Sequence, residues 1–195
     1  MVATILAEVE TETDLVNLAQ QGDRNAFGEL ARRHYQGVVS VVYRMCSDVA
    51  VAEDATQEAF IRAWVNLPSF QPSAPFRSWL YRIAINAALD VLRHKKEESL
   101  EESQAAMIPD QAASPENALI EKERLALVQQ AMKNLPEASR SVLVLREYGE
   151  LSYQEISKVL DIPVGTVMSR LNYARNCLRQ ILKGVLFQQM ESEND

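Results

Sequence analysis

The stretch whose reading decides the fold runs from Leu151 to Leu182, LSYQEISKVLDIPVGTVMSRLNYARNCLRQIL. Ser152 followed three residues later by Glu155 makes a capping box, in which each side chain accepts a backbone N–H of the other, and it opens a short helix. Asp161, Ile162 and Pro163 then force a turn, and apolar residues resume helical spacing through Leu182. Ile156, Val159 and Leu160 of the first helix are placed to pack on Val167 and Leu171 of the second, the arrangement of a helix-turn-helix. In such a unit the second helix lies in the major groove with its N-terminal residues at base edges. Here it presents Thr166, Met168, Ser169, Arg170, Tyr173 and Arg175. Arginine reaches guanine bidentately, and its neighbours hold phosphates. Helix-turn-helices also bind proteins, so the pattern alone leaves both kinds of partner open.

Working outward, charge is the next signal. The chain is 195 residues long with a formal charge of −7, which on average argues against a polyanion as partner. The average hides a segregation. Residues 59–96 hold six bases and one acid, residues 162–190 hold four bases and no acid, and residues 97–123 between them hold eight acids and one base. Two basic patches split by an acidic stretch suggest two surfaces that meet a polyanion. Within that stretch, residues 97–118 (EESLEESQAAMIPDQAASPENA) carry Pro109 and Pro115 and lack aromatic residues. Such a segment buries too little apolar surface to offset its ordering entropy, and reads as a flexible acidic linker. The expected architecture is therefore all-α: two small helical domains, 13–96 and 119–184, the second a helix-turn-helix, with tails at 1–12 and 185–195. Only six glycines and seven prolines, among abundant Ala, Leu, Glu, Gln and Arg, favour helices throughout.

In the first domain, Asp14 begins a helical run ending at Gly22, and a second run extends from Phe27 to Tyr43. Asp54 offers an N-cap for a helix over 55–67, and Pro68, Pro72 and Pro75 break the chain before a long helix from Phe76 to about Lys96. On that long helix Leu80, Ile83, Ala84, Ala87, Ala88 and Val91 share an apolar face. Trp79, Arg82, Asn86, Asp90 and Arg93 fall on another, each three or four residues from the last. Rings for base stacking, cations for backbone and an amide for a base edge suit single-stranded nucleic acid. A wet polar face with Trp79 anchored in the core would read the same way in isolation; its company in one chain with a basic helix-turn-helix favours nucleic acid. In the second domain Glu121 to Asn134 reads as an amphipathic helix, Pro136 starts the next and Gly149 stops it.

Several function classes are excluded. The apolar runs are too short to cross a bilayer and the N-terminus turns acidic at Glu8, so a cytoplasmic protein is expected. Cys46 and Cys177 stand far apart and read as small buried apolar residues, and His34 and His94 have no metal-ligand spacing with them. There is no glycine-rich phosphate loop and no nucleophile–base pair, so neither an enzyme nor a metal or organic cofactor is expected. The remaining rivals are a helix-turn-helix regulator, for which no effector domain is present, and an all-helical adaptor that binds only proteins.

Two motifs carry a resemblance. DATQEAFIRAWVNL (54–67) with PFRSWLYRIAINAALDVLRHKK (75–96) resembles the second conserved region of extracytoplasmic-function sigma factors of bacterial RNA polymerase. NLPEASRSVLVLREYGELSYQEISKVLDIPVGTVMSRLNYARNCLRQIL (134–182) resembles their fourth region. The resemblance implies a factor that binds core polymerase and directs promoter-specific initiation. It implies that Asp54, Gln57, Glu58, Phe60, Ile61 and Trp64 bind the clamp coiled coil of the β′ subunit. The loop from Ser69 to Ser73, with Phe70, would capture a flipped base of the −10 element, which Asn86 reads while Trp79, Arg82 and Arg93 support melting and hold backbone. Thr166, Ser169, Arg170, Tyr173 and Arg175 would meet the −35 element, and the linker would thread near the RNA exit path. The β flap and an anti-sigma factor, which would hold the protein at the inner membrane face, are the further partners implied. Met168 departs from the pattern, standing where many members carry a basic residue; it faces a thymine methyl, a protein partner or neither. The inducing signal, the regulon and the promoter sequence are not written in these residues.

Overall fold

The computed structural model describes residues 11–72, 74–101 and 127–192, and within these ranges every regular element is helical. Four helices form one group: α1 (Glu12–Gln20), α2 (Arg24–Cys46), α3 (Val49–Asn66) and α4 (Phe76–Glu101). Four more form a second: α5 (residues 127–133), α6 (Glu137–Glu147), α7 (Tyr153–Leu160) and α8 (Val164–Ser192). The tail over 1–10 and residues 102–118 of the expected linker lie outside the described residues. The first five residues of that expected linker, 97–101, belong instead to α4.

The helix starts follow local chemistry. Thr11 and Asp14 form a capping box on α1, one residue pair earlier than the apolar run suggests. Asp23 accepts from the amides of Asn25 (2.8 Å) and Ala26 (3.2 Å) at the head of α2, just after Gly22 turns the chain at φ 95°. The cap of α3 is Asp48, which accepts from Val51 at 3.2 Å; Asp54 lies inside the helix and is exposed. The expected start at Asp54 is thus six residues late. Both aspartates suit a cap locally, and burial decides between them: starting at Val49 places Ala52 on the core side at 3% exposure. Lys95 of α4 reaches the same Asp48 carboxylate at 2.8 Å and holds its pKa below the ordinary value, aided by the Val51 amide.

The first group packs around small residues. Ala52, Ala55, Ala59 and Ala63 of α3, together with Ala84, Ala87 and Ala88 of α4, are 3% exposed or less. Without bulk at these positions the axes of α3 and α4 approach closely, and Val38, Val41, Val42 and Met45 of α2 close the third side. On α4 the burial goes beyond the expected face: Tyr81 and Ile85 are also buried, at 5% and 1%. Their side is covered by the second group, since α4 packs on α6 and α7, and α2 packs on α6.

The helix-turn-helix forms as its sequence predicts. Ser152 and Glu155 exchange their capping bonds, with Glu155 Oε2 accepting from the Ser152 amide at 2.8 Å and its hydroxyl at 2.7 Å. These bonds lower the Glu155 pKa, so the cap persists above the ordinary carboxylate range and is lost as pH falls through the depressed value. Ser152→Ala should cost about 1 kcal/mol of stability, read as a lower urea midpoint at neutral pH. Asp161 takes the left-handed conformation at φ 53°, and Ser157 closes the turn by donating to the Ile162 carbonyl. Ile156, Val167 and Leu171 are 2% exposed or less and Val159 is 5%, as the predicted seam requires, while Leu160 is half-buried at its edge. The preceding helix stops at Glu147 beside Gly149 as expected, but the left-handed residue there is Glu150, at φ 55°.

Candidate nucleic-acid interface

One candidate surface sits where α3 gives way to α4. Leu67–Ser69 make a single 3₁₀ turn whose carbonyls are held by α1: the Gln20 amide donates to Leu67 O at 3.0 Å and to Phe70 O at 2.8 Å. Phe70 turns inward at 7% exposure and packs edge-on to Phe76, centroids 5.7 Å apart, and against Trp79 at 5.0 Å. His34, bonded to the Glu12 carboxylate at 2.8 Å, closes the far side of Phe76 at 5.4 Å. The loop is thereby held by an aromatic wedge from below. Phe70, expected at the DNA, is part of that wedge and also lines the cavity above it.

Above the wedge lies a cavity of about 470 Å³ lined by Gln71, Ser78, Trp79 and Arg82, with Lys158 and Val159 of α7 on its other wall. Its volume falls in the range of roughly 300–1,000 Å³ usual for pockets that take a small ring system. Trp79 is half-buried, with one face on the wedge and its remaining surface towards the cavity. Arg82 and Asn86 are exposed one turn apart on α4, and Arg93 is exposed further along, 3.9 Å from Asp90. Asp90 is drawn to the other side by Arg62, which donates to it at 2.6 Å and to Glu58 at 2.7 Å. The predicted polar face is therefore real, with Asp90 as its border rather than a member. Ser73 lies outside the described residues.

A second surface covers α3. Asp54 and Gln57 are exposed, while Glu58 is half-exposed and paired to Arg62. Ile61 is 59% exposed, and Phe60 and Trp64 are half-buried, stacked respectively on Tyr35 at 6.1 Å and against Phe27 at 5.0 Å. Val65, 67% exposed, and Tyr35, 48% exposed, extend this apolar patch and were missed by sequence reasoning. Val65 follows Ile61 by four residues, the spacing of one helix face, which was the available signal; Tyr35 comes from α2 and had none.

The third surface is the start of α8. With about 100° of rotation per residue, Thr166, Ser169, Arg170 and Tyr173 share one face, and Met168 and Arg175 lie roughly 160° or so around the helix from Arg170. Tyr173 and Met168 are half-exposed at 50% and 54%; Arg170 is more sheltered. Arg175 is engaged by Glu147 of α6 at 2.7 Å, which raises its pKa. The six expected residues therefore spread across the exposed side of the helix, with Ser169 near the middle and Arg170 and Met168 each about 100° from it. The first turn carries no acid, so the positive end of the helix dipole is uncompensated.

Among the described residues no three His, Cys, Asp or Glu side chains gather as a metal site, and no helix is long and apolar enough to cross a membrane.

Comparison with known proteins supplies the frame for these surfaces. Residues 30–98 match the family model "Sigma-70 region 2", and residues 125–178 match "Sigma-70, region 4". The chain is 37% identical over 177 residues to the ECF RNA polymerase sigma factor SigW of Bacillus subtilis (strain 168), covering 86% of this chain and 95% of that protein. It is 36% identical to the ECF RNA polymerase sigma-E factor of Escherichia coli (strain K12), covering 89% and 95%. Among solved structures, CnrH in complex with the cytosolic domain of CnrY is similar with a TM-score of 0.68 at 27% identity, over 90% of this chain and 99% of that one. The fold is shared also with the sigma factor RpoE of Bartonella quintana, solved with the anti-sigma factor NepR, with a TM-score of 0.65 at 23% identity over 80% of this chain and 96% of that one.

Proposed function

This chain belongs to the extracytoplasmic-function sigma factors, and from that premise we propose how its surfaces divide the work of initiation. As a member it binds core RNA polymerase and directs promoter-specific transcription initiation, with its region 2 half fitted to the −10 element and its region 4 half to the −35 element. The halves are taken as 13–96 and 119–184, joined by the acidic segment between them. The observation that carries the residue-level reading is the cavity over the aromatic wedge, where a ring-sized space meets Trp79, Arg82 and, one turn on, Asn86.

In this reading a base flipped from the −10 element enters the cavity between loop and Trp79, Asn86 reads an adjacent base edge, and Arg82 and Arg93 hold backbone. Phe70 positions the loop and lines the cavity beside Trp79. Asp54, Gln57, Ile61 and Trp64, with Tyr35, Phe60 and Val65 beside them and Glu58 held by Arg62, form the face for the β′ clamp coiled coil. Thr166, Ser169, Arg170 and Tyr173 read the −35 element, and Arg175 and Met168 lie towards the groove wall or a protein partner such as the β flap. An anti-sigma factor covers these faces in the inactive cell, where the protein resides in the cytoplasm.

The protein performs no bond chemistry. It favours strand separation because it binds the unpaired strand better than the duplex, and the opening equilibrium shifts by that difference in affinity. Asn86→Ala should therefore reduce the open-complex equilibrium with core polymerase by about 5- to 150-fold, the scale of one lost base-reading contact of about 1–3 kcal/mol. Arg179→Ala, which removes an exposed cation bonded to Asn176, should change it little. Permanganate footprinting of the −10 region compares the two; equal yields would remove Asn86 from the role of reader.

A further inference from the structure

The −10 face carries an acid that its proposed work does not need. About 100° of rotation per residue places Arg82, Asn86, Asp90 and Arg93 within roughly 80° of one another on α4. A carboxylate among cations that hold a phosphate backbone repels that backbone and competes for the cations. Asp90 does compete: its Oδ1 lies 3.9 Å from Arg93 Nη1, an i,i+3 pair along one helix.

That contact is too long for a hydrogen bond, and the reason lies on the neighbouring helix. Arg62 of α3 donates from Nη1 to Asp90 Oδ2 at 2.6 Å and from Nε to Glu58 Oε1 at 2.7 Å. One planar guanidinium thus spans two carboxylates, one on its own helix and one on α4. Glu58, four residues before Arg62, holds one edge of the fork and so aims the other at Asp90. The two carboxylates raise the Arg62 pKa, Asp90 contributing first, and its charge stays constant across the pH range of function.

The same group does little for the fold. The Arg62 and Asp90 side chains are 37% and 39% exposed, and ion pairs so open to water add little to stability. What joins α3 to α4 is the alanine strip, with Ala55, Ala59, Ala63, Ala84, Ala87 and Ala88 buried. The Arg62–Asp90 bond acts instead on direction. It turns the carboxylate towards α3 and leaves Arg93, 66% exposed, at the longer distance.

We propose that Arg62 is a positioning residue for the −10 face: from α3, and without touching DNA, it holds Asp90 back so that Arg93 binds the phosphate backbone. The proposal rests on the reading of the α4 face given above. Asp90 is then a brake on Arg93, released by a residue of a different helix. With Arg62 removed, Asp90 and Arg93 close their i,i+3 pair, and one backbone contact is lost.

The test reads fluorescence anisotropy of a labelled random-sequence single-stranded DNA pool binding to polymerase holoenzyme over a salt series, with core polymerase alone as the blank. On single strands each phosphate contact contributes about 0.7 to the slope of log affinity against log salt. Arg62→Met should weaken binding and lower the magnitude of that slope by about 0.7, although Arg62 faces α4 rather than the strand. The double variant Arg62→Met/Asp90→Asn should recover the parent slope, since no carboxylate remains to take Arg93. A slope that stays low in the double variant means that Arg62 itself meets the backbone, and overturns the proposal. Asp90→Asn alone keeps Arg62 and should bind at least as tightly as the parent; weaker binding overturns the brake. This arm stands even where circular dichroism shows that Arg62→Met has lost its fold. Arg93→Ala separates the two layers of the reading. A parent-like slope there removes Arg93 from the backbone and takes the proposal with it. A low slope there beside a parent-like Arg62→Met overturns the positioning alone.

Discussion

Arg140→Ala should lower the free energy of unfolding by about 3 kcal/mol and replace one cooperative urea transition with two. Three carbonyls lose their donor in a place where water is nearly excluded, and each orphaned acceptor costs about 1–3 kcal/mol, less what an entering water restores. Release of a desolvated charge offsets part of this, which keeps the estimate well under the sum. The loss divides between the turn from α5 to α6, held through Lys133 and Leu135, and the contact with α2 through Met45; the second is what couples the two groups. Arg140→Lys should fail to rescue, because an ammonium has no planar fork with which to reach carbonyls on opposite sides. Urea denaturation followed by far-ultraviolet circular dichroism, with Trp64 and Trp79 fluorescence reporting the first group alone, makes the comparison. A single transition with an unchanged midpoint would mean that Arg140 carries neither load.

The second large effect falls on the helix-turn-helix. Leu171 is 2% exposed and packs in the seam with Ile156 and Val159, so Leu171→Ala should cost about 2–5 kcal/mol in lost burial and in the cavity it leaves. That exceeds the cost of removing any one DNA contact, because it loosens α8 and with it the common face of Thr166, Ser169, Arg170 and Tyr173. With core polymerase the −35 footprint should vanish while association with polymerase through α3 persists. A variant that loses both together would show that the second group also holds the first in its docking form.

What the residues told in advance, and what they did not, divides by range. The α7–α8 unit was legible to the residue because its signals are local: Ser152 and Glu155 three apart, Asp161 before Pro163, apolar residues at helical period. The polar face of α4 was legible for the same reason. Tyr81 and Ile85 were not, since the surface that buries them comes from α6 and α7, more than 50 residues away along the chain. That Phe70 packs between Phe76 and Trp79 was not legible, because no local signal reveals which rings close over it. The cap at Asp48 was passed over for Asp54 because two good caps six residues apart are separated only by what the intervening turn buries.

The run of alanines between α3 and α4 has a consequence for variation. At Ala55, Ala59, Ala63, Ala84, Ala87 and Ala88 there is no spare volume, each being fully buried, and a single added methylene displaces a backbone rather than a side-chain tip. A mutational scan should show this strip as nearly immutable, while Ile61 and Val65 on the outer side of the same α3 helix accept polar replacements without loss of fold. New partner preferences in this chain can therefore arise one substitution at a time on the outside of α3, over an inside that almost no single substitution can improve.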